Sequence, residues 1–522
     1  MKRTLLAAAA CIWAASAHAQ SDTQTGQTSD NGPNVSPAAA QTDSINGRLA
    51  TLKGEVDGLN ESYLATKATV DKLAKVKISG YIQTQFRAAT QYDDATDTTG
   101  TGAVSKKSSD RGTYRYPVGD FAGGKFDTRV PNLFQIRRGR VKVAYETELT
   151  TGVLQLDVIP FANVNLVDAV TTVTDSVWED SARVWKKFTK TVGSSTKPAL
   201  TSGGVSVKDA YLRFAEPWLK SIAIKAGIFD RPFGFEIGYS SSSRESPERS
   251  RMFQTLFPNE RDLGVALEYS GADKLPLAAR IPNLKVGAFT GNGINIETDS
   301  KRDIIGRLGA SIPITPINMA VDLGVSGYAG ALQMLNDTLM TVTTKKASDT
   351  VMTIERNASF KKFDFVNRRY YGGDMQLYLD IPVIGGLSLR GEYIQGQQPG
   401  QSDNVVSPKS NLTSSKPVYL RNFNGFYVMW VQNLWKYDQF VLKYDKFDPN
   451  TEVEGDKITS ATELAYGTLG LGLIHNWDEN IKLMAYYEIP RNETSKHLPT
   501  KDTFYRKDLA DNVFTFRIQY KF

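Results

Sequence analysis

The chain reads as an all-β protein, a sixteen-stranded antiparallel transmembrane β-barrel preceded by a short coiled-coil helix. Three observations predict it. From residue 76 to the last residue, apolar and polar side chains alternate with the period of two that belongs to a strand with one apolar and one polar face. Sixteen such segments can be placed, most of them nine residues or longer. An average soluble strand has about 5–6 residues, whereas a tilted membrane strand needs ~9–11. The connections also alternate long and short, the pattern of a barrel with long loops on one side and tight turns on the other.

Composition removes the competing classes. No apolar run past the first twenty residues approaches the ~20 residues of a spanning helix. A single cysteine excludes an internal disulfide framework, and three histidines make zinc chemistry improbable. A formal charge of +6 over 522 residues argues against a nucleic-acid binder, which concentrates basic residues on one face. H-E-x-x-H, G-x-S-x-G and the P-loop are all missing from the sequence, so neither an enzyme nor a cofactor is expected.

The N-terminus sets the compartment. Lys2 and Arg3 precede an apolar stretch from Leu5 to Ala15, and Ala17-His18-Ala19 is a small-residue cleavage site. Residues 1–19 therefore read as a secretory signal peptide. The one cysteine, Cys11, lies within it. Taking Cys11 as a lipidated first residue would shorten the apolar region to Leu5–Ala10, below the ~7–15 residues such a region needs. Residues 20–42 hold mostly Ser, Thr, Gln, Asp, Pro and Ala, a composition that cannot offset its ordering entropy, and read as a flexible linker.

Residues 43–75 change pattern. Leu49, Val56, Tyr63 and Val70 occupy a positions; Ile45, Leu52, Leu59, Thr66 and Leu73 occupy d positions. This 3.5-residue spacing keeps one seam facing a partner helix, or else facing the rest of its own chain. Gly47, Gly54 and Gly58 weaken the helix by ~1 kcal/mol each relative to Ala, so it needs a partner.

Residues 76–522 form the barrel domain. Strands are placed near 76–87, 133–149, 151–160, 205–216, 219–229, 261–270, 282–290 and 302–313. A second eight lie near 316–330, 369–382, 386–397, 418–433, 435–448, 463–477, 480–491 and 511–522. Long connections fall at 88–132, 161–204, 230–260, 331–368, 398–417 and 492–510. Both ends of the barrel domain then lie on the short-turn side, expected to be the periplasm, with the helix there too. In the last strand Phe514, Phe516, Ile518, Tyr520 and Phe522 share one face. On a soluble edge strand that face would be an aggregation hazard; in a closed barrel it meets lipid and no edge remains. An aromatic residue closing such a strand is similar to the terminal assembly signal read by barrel-assembly machinery.

With the apolar face toward lipid, the polar alternates point inward, among them Arg138, Arg140, Lys142, Lys285 and Arg517. Sixteen strands enclose more than side chains fill, so the lumen should be an aqueous channel. The segment 230–260 is the candidate constriction. It carries Arg231, Arg244, Arg249 and Arg251, with Arg261 just beyond, against Asp230, Glu236, Glu245, Glu248 and Glu260. Rings of basic residues make anion or phosphate pores, and Arg suits phosphate through its two-pronged fork. A bland reading stands beside this: the loop arginines pair with neighbouring glutamates and hold the loop's shape.

The run Gly227-Ile228-Phe229-Asp230-Arg231-Pro232-Phe233-Gly234-Phe235-Glu236, with Ser240 to Ser243, Glu248-Arg249 and Glu260-Arg261-Asp262-Leu263-Gly264-Val265, resembles the phosphate-selective porin O/P family. The resemblance spans roughly 76–522 and is strongest at 205–270. It implies a homotrimeric, sixteen-stranded outer-membrane porin for passive diffusion of small anionic or neutral solutes, with no cofactor. The alternative is a barrel that chiefly tethers the outer membrane through its periplasmic coiled coil.

Overall fold

The computed structural model of the chain describes residues 37–89, 132–179 and 184–522, apart from 259, 273, 296, 298, 347–349, 402–403, 407–413, 459, 499–504 and 509–511. The expected signal peptide and most of the expected linker lie outside the described residues, as does most of the connection 88–132. The chain divides into two compact units between Leu73 and Ala74.

The first unit holds α1, Pro37–Leu73. It begins six residues inside the segment expected to be linker. Proline is tolerated in a first helical turn because its missing N–H would have no partner there. Every apolar seam residue is exposed, Ile45, Leu49, Leu52, Val56, Leu59, Tyr63, Val70 and Leu73 alike. Helices stand alone in water only marginally, so an exposed apolar seam of this kind is stabilised by any surface that covers it.

The second unit is a closed antiparallel barrel. Its first strands are β1 (Val76–Ala89), β2 (Asn132–Glu146), β3 (Thr150–Glu179), β4 (Val184–Ala215) and β5 (Ile222–Asp230). After a short helix α2 (Arg251–Leu256) come β6 (Arg261–Ser270), β7 (Pro282–Phe289), β8 (Asp303–Ile314) and β9 (Met319–Gln333). A hairpin β10 (Leu339–Lys346) and β11 (Thr350–Asn357) follows, then β12 (Phe365–Ile381), β13 (Gly385–Gln401) and β14 (Val418–Leu434). The barrel ends with β15 (Asp438–Asp448), β16 (Tyr466–Asn476), β17 (Ile481–Asn492) and β18 (Val513–Lys521). Sixteen of these strands close the ring: β9 pairs directly with β12, and β18 pairs with β1.

Two segments differ from expectation. The connection expected at 161–204 is strand, because β3 and β4 continue as one antiparallel ladder as far as Glu179 and Val184. That stretch of sequence is rich in Val and Thr, which favour extended backbone. The connection expected at 331–368 contains the β10–β11 hairpin, which sits on the ring through a short parallel pairing of β10 with β14. Neither strand is part of the closed wall.

The faces sort as alternation requires. Leu212, Ile224, Leu267, Val286, Leu308, Val325 and Val428 are exposed on the outside, while Gln83, Gln85, Arg87, Lys225, Asp374, Glu392, Lys443 and Arg517 are buried inside. A wall with water on both sides would not arrange itself this way. The apolar band belongs in lipid, and the closed ladder leaves no wall strand with an unpaired edge there. No helix among the described residues is long and apolar enough to cross a membrane.

Candidate functional site

The loop after β5, residues 231–260, folds into the lumen. What draws it in is a second core inside the barrel. Phe233, Ile237, Met252, Phe253, Leu256 and Phe257 are all buried, packed with inward-facing Phe229, Phe289, Tyr328, Tyr370, Phe423 and Phe447. Phe257 sits at the centre, with its ring 5.0 Å from Phe233, 5.7 Å from Tyr370 and 5.9 Å from Phe253. Buried aromatic rings at these separations add stability beyond their area. The aromatic loop and the aromatic stretch of wall thus select each other.

Polar pins then spread the loop across the lumen. On one side, Glu392 of β13 accepts hydrogen bonds from the Phe235 N–H (2.8 Å), the Glu236 N–H (2.6 Å) and the Tyr427 hydroxyl (2.7 Å). Gly234 makes this approach possible: its φ is +61°, and a Cβ there would lie 2.1 Å from Glu392 Oε2. Glu236 accepts from Lys443 of β15 at 2.8 Å. Toward the other side, Ser241 Oγ lies 2.6 Å from the Tyr81 hydroxyl of β1 and 3.0 Å from Arg140 Nη1 of β2. Lys482 of β17 donates to the Ser242 and Arg244 carbonyls at 2.9 and 3.1 Å. Arg390 of β13 holds Glu245 bidentately at 2.9 and 3.1 Å.

The densest charge surrounds Glu248. Arg137 Nε lies 2.9 Å from its carboxylate, Arg138 Nη2 2.5 Å, Arg517 Nη2 3.4 Å and Arg244 Nη1 3.9 Å. Four guanidinium groups therefore share one carboxylate. Two of them are consecutive in sequence, which strict alternation would send to opposite faces. The register of β1 with β2 jumps here: Gln83 pairs with Arg138, but Thr84 pairs with Ile136. Arg137 is the extra residue of a β-bulge, and a bulge re-aims a side chain in this way. Arg244 is buried, and its three guanidinium nitrogens have no hydrogen-bond partner among the described residues.

The remaining sequence-predicted residues take several roles. Arg231 lies over the Phe257 ring at 4.9 Å and donates to the Glu260 and Pro258 carbonyls. Arg249 staples the loop to itself, donating to the Glu236, Ile237 and Tyr239 carbonyls and pairing with Glu260. Arg251 stacks 3.8 Å above the Tyr466 ring. Arg261 grips Asp209 at 2.8 Å and Glu260 at 3.0 Å. Arg138 joins the Glu248 cluster, whereas Arg140 is held by Asp157 at 2.9 Å. Lys142 is half-buried, and no ion pair joins it to a described residue. Phe514, Phe516, Ile518, Tyr520 and Phe522 all lie on the exposed outer face.

An open recess lies across the lumen from the arginine cluster. A recess of about 280 Å³ separates the loop residues Gly234, Phe235, Gly238 and Tyr239 from inward residues of β7, β8, β9 and β12. Its polar lining includes Asn283, Lys285, Arg307, Asp322 and Gln376. Arg307 lies flat against the wall, donating to Asp374 at 2.9 and 2.6 Å and to Asn283 at 3.1 Å. Two inward glycines make room for it: a Cβ on Gly324 would stand 2.4 Å from Arg307 Nη2, and one on Gly309 would stand 2.6 Å from Nη1. Sequence reasoning missed Arg137 because a bulge breaks alternation, and missed Arg307 although the spacing of β8 turns it inward.

Fold and site together define a transmembrane β-barrel whose lumen is narrowed by an inserted loop. Among solved structures the chain is similar to the outer membrane channel DcaP of Acinetobacter baumannii, at 12% identity over 86% of this chain and 97% of that one, with a TM-score of 0.45. It is also similar to an anion-selective porin from Comamonas acidovorans, at 10% identity over 86% and 99% with a TM-score of 0.43. Pseudomonas putida OprB is similar at 8% identity over 87% and 96%, also with a TM-score of 0.43. Likeness at this level carries no argument about solutes or partners. No family model matches the chain, and neither does any curated protein.

Proposed function

We propose that this protein is an outer-membrane porin, a water-filled channel for passive diffusion of small solutes with a weak preference for anions, phosphate among them. The observation that carries the reading is the loop 231–260, pinned inside a closed, lipid-facing barrel and leaving an open polar recess beside it. A barrel serving only as an anchor has no need of a constriction. The anion preference rests on the Glu248 cluster, where four positive charges meet one negative, and on the resemblance at 205–270 to phosphate-selective porins. These groups are buried or half-buried under the loop, so they act on the lumen through their summed field, and a net positive field raises the local concentration of anions in a pore.

Three further parts belong to this reading. The chain acts as a homotrimer, the exposed seam of α1 being one contact between copies. Both ends of the barrel unit, and α1 with them, face the periplasm. The outward aromatic ladder ending at Phe522 is the signal for barrel-assembly machinery. A second reading, favoured by the exposed seam alone, is a tether that joins the outer membrane to another envelope component through α1.

The test is reconstitution of purified protein into a planar bilayer under a KCl gradient. Stepwise conductance, grouped in threes, with a reversal potential on the anion side is the expected result. A cation-side reversal potential overturns the anion preference, and silence at every protein concentration overturns the channel.

A further inference from the structure

We propose that solutes cross the constriction on the side opposite the arginine cluster, along β8, β9 and β12, and that Lys285 is the residue that selects among them, favouring small oxyanions, that is, carboxylates and phosphates. The proposal rests on the channel reading.

The route follows from two cavities lined by successive positions of the same strands. The recess beside the loop is lined by Ser311, Asp322 and Gln376. A second cavity, of about 500 Å³, is lined by Pro313, Ala320 and Tyr378. These are the next inward-facing positions on the same three strands, toward the short turns. Loop residues close the other side of both, Phe235 and Tyr239 above and Glu245 below. The arginine cluster sits on β2 and β18, each seven strands around the ring from β9, with the loop pressed onto it.

The selecting residue follows from which cations on this route remain uncommitted. Arg231 is bound over Phe257 and to backbone carbonyls. Arg307 is neutralised bidentately by Asp374, and Arg390 by Glu245. Lys285 is exposed to the recess and forms no ion pair with a described residue. Its ladder neighbours explain this. Glu268, directly across on β6, is taken by Arg213 at 2.9 Å, and the neighbour on β8 is the cation Arg307. Lys285 thus has a like charge on one side and an already occupied carboxylate on the other, while Asp230, the acid of the recess that feels its charge, is contacted by Lys225 at 3.5 Å.

An ammonium with three rotatable donors meets an oxyanion without demanding one geometry, which suits passage rather than retention. Four residues along β9 from the level of Lys285 stands Asp322, also without an ion pair among the described residues. That offset is about 13 Å at ~3.3 Å per residue. A solute from the long-loop end therefore meets the positive charge first, and Asp322 discourages it from lingering.

The experiment compares wild type, Lys285→Gln and Lys285→Glu in bilayers under gradients of potassium chloride, potassium acetate and potassium phosphate. One unit charge acting across 4–8 Å of water changes the local concentration of a monovalent ion about two- to sixfold. Lys285→Gln is expected to lower the anion-to-cation ratio by at least that factor in acetate and phosphate and by less in chloride, and Lys285→Glu to invert it; a fall as large in chloride as in the other two would overturn the oxyanion preference. A fall confined to phosphate would overturn the shared oxyanion chemistry. Unchanged ratios in both variants would overturn the proposal while leaving the channel intact. A silent wild type would overturn both.

Should the charge reversal prevent assembly, Lys285→Cys in a Cys11→Ser background allows the charge to be added afterwards. An ammonium-bearing thiol reagent should restore the wild-type ratio, and a sulfonate-bearing one should invert it. Complete labelling with no change in ratio counts against Lys285.

Discussion

Glu248 carries more of the loop's attachment than any other single side chain, since Arg137, Arg138 and Arg517 all converge on it from the wall. Breaking a buried ion pair from one side costs about 3–5 kcal/mol, because the other charge is left uncompensated. Glu248→Gln keeps the shape and removes the charge. It is expected to lower the thermal midpoint of the assembled barrel and to raise its anion preference. Circular dichroism melting and reversal potentials measure the two effects; a variant that matches wild type in both would mean that water already screens these arginines. The neighbouring Arg137 shows why a residue-scale reading of sequence stops where it does. Alternation sends it toward lipid, and only a one-residue shift in pairing with β1 brings it beside Arg138.

Elements divide into those whose period is regular and those whose length was hidden. The wall strands from β5 to β18 fall close to their expected positions, because each presents a strict alternation against lipid that a one-residue slip would invert. The β3–β4 ladder is longer than expected because nothing in local composition marks where a Val- and Thr-rich strand leaves the membrane. The helix α1 was legible from its 3.5-residue period, and its exposed seam gives that period a use. Leu52→Lys and Leu59→Lys together place charges at two d positions, each worth roughly the 1.5–3 kcal/mol of a buried Leu in any helical partner contact. Light scattering in detergent should then show fewer associated copies, with single-channel conductance unchanged. An unaltered mass would remove α1 from the contacts between copies.

At the scale of the whole molecule, closure is the decisive event. The Phe522 N–H and carbonyl exchange hydrogen bonds with Gly80 at 3.0 and 2.9 Å, and β18 pairs with β1 from Lys521 back to Val513. The Phe522 ring lies over Gly80 so closely that a Cβ there would stand 2.5 Å from Cζ. Gly80→Val and Phe522→Ala attack the same seam from its two sides. Both are expected to lower the temperature at which the barrel loses its heat-resistant gel mobility, with Gly80→Val the more severe because it strikes backbone as well as ring. If Gly80→Val migrates as wild type does, the terminal residue has no part in holding the ring shut.

The sequence by itself determined the class of object. Period two over long segments, the long–short rhythm of connections and a terminal aromatic ladder admit one arrangement, since an apolar face on every strand needs lipid and every backbone group in lipid needs a neighbour. It also pointed to the segment after β5 as the one that narrows the lumen, from its length, its place in the chain and its arginines. Tertiary structure alone decided where the open path lies. Which arginine finds which carboxylate depends on strands far apart in the chain: Glu248 meets Arg517 across 269 residues, and Arg390 meets Glu245 across 145. Charge counting along the sequence sees five arginines and five acids in balance. Their pairing across the lumen ties up most of the loop's own cations, buries Arg244 in the Glu248 cluster, and leaves Lys285, a single residue on an ordinary wall strand, facing the recess beside the loop.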